Sequence, residues 1–318
     1  MTTPATFAQL PDETNDKGEF VRQRYTVRDR ITADGSSGFE AEAGRYHLYV
    51  SLACPWANRA VIVRRLLGLE EVISLSVVDP IRDERGWAFR EGEGHGPDPV
   101  NGFAFLSEAY HKTDPDYTGR YTVPCLWDKR TERLVSNNYP DITIDFELAF
   151  KDFHKEGAPD LYPEALRAEI DEVSELVYFD VNDGVYKAGF AASQEAYEEA
   201  YEALFKRLDW LEQRLATQRY LVGDQLTEAD VRLFTTLARF DAVYYLHFKC
   251  NKRRLVDYPN LWAYTRDLYG RPAFGESVNL DHIKRHYYVT HDRLNPSGIV
   301  PRGPEVDWLE PHERDALS

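Results

Sequence analysis

The most informative segment of the chain reads Tyr46-His47-Leu48-Tyr49-Val50-Ser51-Leu52-Ala53-Cys54-Pro55-Trp56-Ala57. Its apolar run from Tyr46 to Val50 alternates like a strand and ends in a short loop. A helical pattern begins at Pro55, and proline suits a first helical turn because the N–H groups there lack intrahelical partners. Cys54 is therefore expected at a helix N-terminus, where the helix dipole and free N–H groups stabilise a thiolate and lower the pKa of the cysteine.

This junction resembles the way in which the thioredoxin fold displays its nucleophile. The position three residues after Cys54 is Ala57 and not a second cysteine. No neighbouring thiol can resolve a mixed disulfide, so a second thiol must come from solution. The sequence thus indicates thiol-dependent chemistry of the glutaredoxin or glutathione-transferase kind.

Composition narrows the class of protein. The 318 residues are enough for two domains. A net charge of −16, from 54 acidic and 38 basic residues, repels phosphate, so we expect no nucleic-acid partner and no binding to a membrane surface. The three cysteines, Cys54, Cys125 and Cys250, form no paired framework and favour a reducing compartment. No stretch approaches the roughly 18 apolar residues of a membrane span. The expected location is the cytoplasm.

The first half of the chain alternates between strand and helix patterns. Residues 1–40 are polar and read as an N-terminal extension, and residues 41–150 read as one α/β domain. The Gly- and Pro-rich segment 79–121 shows no periodicity and reads as a long functional loop. The elements of the domain are expected at Tyr46–Val50, Trp56–Leu67 and Val72–Val78, with a hairpin formed by Tyr121–Asp128 and Arg133–Asn137.

A proline interrupts the first strand of that hairpin. Pro124 has no N–H to donate and could not sit within a sheet ladder. In the thioredoxin fold, the proline at this point is cis, faces the active cysteine and marks a turn that presents backbone to the bound thiol. We therefore expect a cis bond before Pro124.

From residue 160 to residue 318 the pattern indicates a helical domain with a C-terminal extension. Thr227 is expected to cap a helix, with Asp230 at the third helical position of a capping box. Residues 281–318 read as loop. Helices are expected at Ala165–Val181, Gln194–Ala216 and Asn260–Tyr269.

A thioredoxin-like domain followed by a helical domain with that capping box resembles a glutathione transferase, which implies an α/β plus all-α fold. Further segments make the chain similar to the Xi class, the glutathionyl-hydroquinone reductases. They are spread over nearly the whole chain from about residue 40, and their combination carries the resemblance. These segments are Leu48–Ala57, Asp114–Pro124, Val181–Phe190, His282–Tyr288 and Asn295–Pro304.

The resemblance implies roles for individual residues. Cys54 would be the nucleophile, and Tyr186 and Tyr287 would lie in an aromatic pocket for the hydroquinone and act on it. A low-molecular-weight thiol would be the co-substrate and a hydroquinone thioether the substrate. Residues implied for the thiol site are Trp87, Arg120, Val123, Pro124, Ser136, Asn137 and the position of Asn138.

The resemblance also implies a homodimer that pairs through the helical domains. The sequence adds an aromatic-rich helical half, and exposed aromatics of that density would favour burial at an interface. These aromatics are Phe234, Phe240, Tyr244, Tyr245 and Phe248.

One departure from the family concerns the co-substrate. After the Val-Ser-Asn turn the family places Glu-Ser, which holds the γ-glutamyl group of glutathione, whereas this chain has Asn138 and Tyr139. Losing a charge-assisted hydrogen bond costs about 1.5–3 kcal/mol. We therefore expect poor use of glutathione and better use of another thiol such as mycothiol, although Asp141 could supply a displaced carboxylate.

Other functions remain open at this point. A conjugating transferase, or a dehydroascorbate reductase or thioltransferase, would use the same fold, and a non-catalytic binding module would leave the Cys-Pro-Trp-Ala segment unexplained. His282 and His286 are four residues apart and could face a metal, but the sequence offers no third ligand, so no metal is expected. Cys125 and Cys250 read as core and incidental residues.

Overall fold

The structure is a computed structural model and describes residues 13–317. Its chain contacts divide into two compact units. The first is built from Gln23–Pro159 and Asp281–Ile299. The second is built from residues 13–22, Asp160–Leu280 and residues 300–317. The domain limits expected from the sequence, at residues 41, 150 and 160, stay predictions.

The first unit contains a mixed four-stranded sheet in the order β2-β1-β3-β4. Strand β1 is parallel to β2 and antiparallel to β3, which is antiparallel to β4. This is the expected α/β half of the fold. In chain order its elements are β1 (Tyr46–Val50), α1 (Pro55–Leu66), β2 (Ser74–Val77), α2 (Leu106–Thr113), β3 (Cys125–Asp128), β4 (Arg133–Ser136) and α3 (Tyr139–Leu148).

Strand β1 lies in the middle of the sheet and is buried along its whole length. Its one imidazole, His47, contacts the Ser74 hydroxyl at 2.7 Å and the Ser76 hydroxyl at 2.9 Å, both on β2. Burial lowers the pKa of His47 to about 4, so the ring is neutral at pH 7. The pair of serines lets a polar ring occupy a core position because both ring nitrogens have partners.

The long segment between β2 and β3 is better ordered than its sequence indicates. The prediction that residues 79–121 lack structure was wrong for Leu106–Thr113, which form α2. Glu108 starts this helix, since its carboxylate accepts the N–H groups of Ala104 and Phe105 at 2.8 and 2.9 Å. The N-cap residue, Phe105, has no side-chain acceptor, and the helix is only eight residues long, so the sequence gave little signal for it.

A single carboxylate ties the same segment to the sheet. Asp98 accepts the backbone N–H groups of Val100, Asn101 and Phe103 at 3.1 to 3.3 Å. It also accepts the hydroxyl of Tyr49, on β1, at 3.2 Å. The excursion is therefore anchored to the strand that leads into Cys54.

The second unit is helical, as expected. The predicted helix over Ala165–Val181 is a helix followed by a wider turn at Tyr178–Asn182 with five-residue hydrogen bonding. Its α-helices are α4 (Arg167–Val177), α5 (Gly184–Gly189), α6 (Gln194–Arg214), α7 (Glu228–Arg239), α8 (Pro259–Tyr269) and α9 (Pro272–Gly275).

The expectation that aromatics of the helical half are exposed was wrong. Four of the five named residues are fully buried within the second unit, and Tyr245 is half-buried. A helical packing core needs large apolar side chains just as an interface does, so composition alone did not separate the two uses. The four are Phe234, Phe240, Tyr244 and Phe248.

The chain returns to the first unit in a last helix, α10 (Leu280–Thr290). The expectation of a loop over residues 281–318 was wrong for this helix. Its buried side chains include His282, His286, Tyr287 and Tyr288. Polar and aromatic residues on a buried face hide the apolar spacing by which a helix is recognised in a sequence.

The capping box at the start of α7 is confirmed. Asp230 accepts the Thr227 N–H at 2.8 Å and the Leu221 N–H at 2.9 Å, and the Tyr264 hydroxyl donates to it at 2.8 Å. The Asp230 carboxylate is fully buried, and burial raises its pKa. It thus joins the loop before α7, the helix start and α8.

We expect Asp230→Ala to destabilise the protein by about 3 kcal/mol or more, because each buried donor left without an acceptor costs about 1–3 kcal/mol. The exposed Asp224, three residues before Thr227, is the matched control, and Asp224→Ala should change stability by less than about 0.5 kcal/mol. Urea denaturation followed by circular dichroism measures both. Equal midpoints for the two variants would contradict the assignment.

Candidate active site

Cys54 lies at the N-cap of α1, directly before Pro55 at the first helical position. Its backbone is extended, with φ −77° and ψ 120°, and its carbonyl accepts the first helical N–H, from Asn58, at 3.0 Å. The side chain is half-buried. The sulfur therefore sits where the positive end of the helix dipole favours a thiolate.

The turn before β3 faces this sulfur. The Val123–Pro124 peptide bond is cis, as expected. The Cys54 thiol donates to the carbonyl oxygen of Val123 with an Sγ···O distance of 3.4 Å. The structure thus brings together Cys54, Val123 and Pro124.

Ser136 and Asn137, expected at the thiol site, are buried and engaged by other groups. The Ser136 hydroxyl donates to the Val27 carbonyl at 3.4 Å and accepts the Asn138 N–H at 3.1 Å. The Asn137 amide donates to the Tyr110 hydroxyl and to Thr122 Oγ1, both at 3.2 Å. Asn137 therefore supports the residue before Val123.

Tyr110, on α2, is a supporting residue that sequence reasoning missed. Its hydroxyl donates to the Thr122 carbonyl at 2.8 Å and accepts the Thr122 N–H at 3.2 Å. The ring packs against Tyr117 and Tyr121, with centroids 4.8 and 5.6 Å away. A tyrosine in an unrecognised helix carried no sequence signal, yet it holds the segment that leads to the cis peptide.

Arg120 lies in that same segment and is half-buried. Its carbonyl accepts the Tyr117 hydroxyl at 2.8 Å, which fixes the backbone next to it. The three tyrosines thus give the family-like segment Asp114–Pro124 a defined conformation.

Trp87 is buried and belongs to the first unit. Its ring stacks on His286 of α10, with centroids 5.0 Å apart and planes at 25°. The Arg82 guanidinium lies 5.4 Å from the ring centroid. Trp87 thereby attaches the long loop, to which Arg82 also belongs, to α10.

Asn138 occupies the N-cap position of α3, and its side chain pairs with a carboxylate and does not cap the helix. Its amide donates to Asp141 Oδ2 at 2.5 Å. Arg28 and Arg30 approach the same carboxylate, each at 3.6 Å. Asn138 is therefore surrounded by the Asp141 carboxylate and, beyond it, by two arginines.

Tyr139 packs as a core residue. Its ring lies 4.8 Å from Trp56 and 5.6 Å from Tyr25. The buried Arg59 guanidinium lies 4.7 Å from the Tyr139 centroid and 4.8 Å from that of Trp56. Tyr139 thus forms a cation–aromatic cluster with Arg59 and Trp56, which belong to the helix that follows Cys54.

Tyr287 is buried on α10, within the first unit. The rings of His286 and His291 lie 5.3 and 5.4 Å from its ring, nearly perpendicular to it. His286 also donates through Nδ1 to the Pro80 carbonyl at 2.7 Å. Tyr287 and Trp87 thus share a packing partner.

Tyr186 belongs to the second unit and sits among aromatic rings. Phe248, Tyr244 and Phe190 have centroids 5.4, 6.0 and 6.1 Å from its own. The Arg22 guanidinium lies 4.8 Å from the Tyr186 centroid. Tyr186 therefore lies in an aromatic cluster, and its role towards a hydroquinone stays a prediction.

The remaining cysteines and histidines contrast with Cys54. Cys125 and Cys250 are fully buried, and burial raises the pKa of both thiols.

His282 and His286 are directed to different backbone carbonyls. His282 donates to the Glu93 carbonyl at 2.7 Å, whereas His286 donates to the Pro80 carbonyl. Across residues 13–317 no group of three metal-ligating side chains is found. None of the helices in that range is long and apolar enough to cross a bilayer.

Comparison with known families agrees with this architecture. The glutathione S-transferase N-terminal domain family matches residues 53–145. The glutathione S-transferase C-terminal domain family matches residues 194–267.

Individual relatives are similar over almost the whole chain. Glutathionyl-hydroquinone reductase YqjG of Escherichia coli is 51% identical over 305 residues, covering 94% of this chain and 93% of that protein. Its glutathione-bound structure superposes with a TM-score of 0.89, covering 92% and 96% of the two chains. The glutathione S-transferase Xi of Phanerochaete chrysosporium is 49% identical, covers 92% and 99%, and has a TM-score of 0.88. The chain therefore belongs to the Xi class of glutathione transferases, the glutathionyl-hydroquinone reductase family.

Proposed function

We propose that this enzyme is a thiol-dependent reductase that cleaves thioether conjugates of hydroquinones, with Cys54 as nucleophile. The observation that carries the proposal is the approach of the Cys54 sulfur, at a helix N-terminus, to the Val123 carbonyl before a cis proline. The names of relatives about 50% identical support the reductase activity.

The first chemical step is attack of the Cys54 thiolate on the sulfur of the conjugate. An S–S bond forms, the bond between sulfur and the aromatic carbon breaks, and its electron pair stays with the ring. The ring carbon then takes a proton, so the hydroquinone is released in reduced form while Cys54 is oxidised to a mixed disulfide. Tyr186 and Tyr287 supply hydrogen bonds to the ring oxygens and the proton.

The second step regenerates the enzyme. A second thiol molecule attacks the mixed disulfide, a new disulfide leaves, and Cys54 returns as the thiolate. Ala57 stands where a resolving cysteine would be, so an external thiol is required. Val123 and Pro124 present backbone to that thiol, with Trp87, Arg120, Ser136, Asn137 and Asn138 around it.

The structure of YqjG with bound glutathione supports a low-molecular-weight thiol as the co-substrate. Our proposal for this chain is a thiol without a zwitterionic glutamyl end, such as mycothiol. Support comes from Asn138, whose amide is paired with Asp141, and from Tyr139, whose ring is packed on Trp56. Neither offers what Glu-Ser offers to an ammonium and a carboxylate.

We also propose that the enzyme acts in the cytoplasm and as a homodimer. Its three cysteines are free, which suits a reducing compartment. The dimer rests on the family resemblance, since the aromatic side chains first taken to support it are mostly core residues.

Cys54 is expected to be the one essential cysteine. Cys54→Ser should abolish release of hydroquinone from the conjugate and leave the fold intact, because the side chain is only half-buried. Cys125→Ala and Cys250→Ala are the controls and should retain turnover, since both thiols are buried and held protonated. Mass spectrometry of the protein after incubation with the conjugate and without a second thiol should find the mixed disulfide on Cys54. Turnover by Cys54→Ser at the wild-type rate would rule out this mechanism.

Tyr186→Phe and Tyr287→Phe should each lower kcat for the conjugate by about 10²-fold, the usual effect of losing a general acid. Alkylation of Cys54 by a small reagent should be almost unchanged, because the tyrosines act on the aromatic ring. Tyr288→Phe, the neighbour on α10, is the matched control, with only a small effect on kcat expected. Equal slowing of alkylation would mean that the tyrosines tune the thiolate instead.

The double variant Asn138→Glu with Tyr139→Ser should shift the preference towards glutathione by about one to two orders of magnitude in kcat/KM. The comparison measures kcat/KM for glutathione and for mycothiol with the same hydroquinone conjugate. Tyr139→Ser alone is the necessary control, because it removes the ring that packs on Trp56 and Arg59 and lowers thermal stability. Efficient use of glutathione by the wild type, unchanged in the double variant, would overturn the proposed thiol.

A further inference from the structure

A half-buried arginine from the N-terminal part of the chain lies on the Tyr186 ring. The Arg22 guanidinium carbon is 4.8 Å from the Tyr186 centroid and 5.2 Å from that of Phe20. Both distances are within the range of a cation–aromatic interaction. Arg22 Nε donates to Asp183 Oδ1 at 2.7 Å, and the Arg22 side chain is only 12% exposed.

The surroundings make this charge effective. Tyr186 is buried among aromatic rings, because Phe190 directly follows α5 and Tyr244 and Phe248 lie in the chain after α7. Charges interact more strongly among apolar side chains than in water. Arg22 and its partner Asp183 are charged groups beside this cluster. A further titratable group, the His247 imidazole, stacks on Phe248 with ring centroids 5.4 Å apart.

We propose that Arg22 is a positioning residue that promotes proton donation by Tyr186. The inference rests on the proposed function of Tyr186. When the phenol gives its proton to the substrate carbon, its O–H bond breaks, the electron pair stays on Tyr186 and a C–H bond forms. The guanidinium already stands beside the ring on which the negative charge develops, so it lowers the barrier without having to reorient.

A purely structural role for Arg22 is the alternative. In that case, Arg22 serves to attach residues 13–22 to α5 through Asp183. The two roles predict opposite effects at Asp183. If the ion pair is the anchor, its loss is harmful; if the positive field on Tyr186 matters, removing the opposing carboxylate charge leaves that field in place or strengthens it.

The test measures the single-turnover rate of hydroquinone release from a glutathione thioether of hydroquinone, with enzyme in excess and no second thiol. Arg22→Gln keeps a donor for Asp183 but removes the charge, and it should lower the rate about tenfold with little change in the half-saturating enzyme concentration. Arg22→Lys keeps the charge and should recover most of the rate. Asp183→Asn keeps an acceptor for Arg22 and should show no loss.

A double-mutant cycle with Tyr186→Phe completes the test. Once the phenol is absent, Arg22→Gln should cause no further loss. An equal loss in both backgrounds, or a loss in Asp183→Asn as large as in Arg22→Gln, would overturn the inference. Should Arg22→Gln fail to fold, Asp183→Asn still decides, because a tenfold lower rate in that variant contradicts an electrostatic role. Tyr186→Phe with the wild-type rate would instead refute the proposed function of Tyr186, a result that is read independently of Arg22.

Discussion

The 3.4 Å approach between the Cys54 sulfur and the Val123 carbonyl depends on two chain segments that meet at one end of the central strands β1 and β3. The first is the turn from β1 into α1, which puts the cysteine at a helix start. The second is the turn into β3, whose first residue, Cys125, pairs with Tyr49 near the end of β1. The strand pairing brings the two turns together, and the groups around them keep their backbones in place. Tyr110 and Asn137 hold Thr122 for this reason, and Asp98 ties the long loop to Tyr49.

The site has two kinds of residue, those that face the sulfur and those that hold others. Two neighbours of Cys54 have opposite effects on its protonation. The Val123 carbonyl accepts the S–H hydrogen and so favours the thiol, whereas the N-terminus of α1 favours the thiolate. A bound thiol that takes over the Val123 backbone would remove the first effect. Binding of the co-substrate and activation of the nucleophile are then linked through one carbonyl group.

Much of this arrangement could be predicted from local patterns. The bounds of β1 were predicted correctly, and those of α1 and α8 to within one residue. The signals for these elements are apolar periodicity, a proline at the start of α1 and the Gly270-Arg271-Pro272 segment after α8, and each acts over a few neighbouring positions. The capping box of Thr227 and Asp230 is equally local. Helix α2 was not predicted because it has only eight residues, of which Leu106, Ala109 and Tyr110 are buried. Helix α10 was not predicted because His and Tyr side chains occupy much of its buried face. Sequence patterns are equally silent on contacts between residues far apart in the chain. Examples are Tyr110 with Thr122, Arg59 with Tyr139, and Arg22 with Tyr186.

The position of α10 in the chain affects the order in which parts of the protein can fold during synthesis. The first unit is interrupted after Pro159 and resumes only at Asp281. On a ribosome the sheet can form early, since protein domains fold as units beginning from the N-terminal side. Trp87, however, waits for its stacking partner His286 until the entire helical unit has been synthesised. A nascent chain therefore carries Cys54 at the start of α1 long before the stack of Trp87 on His286 can form.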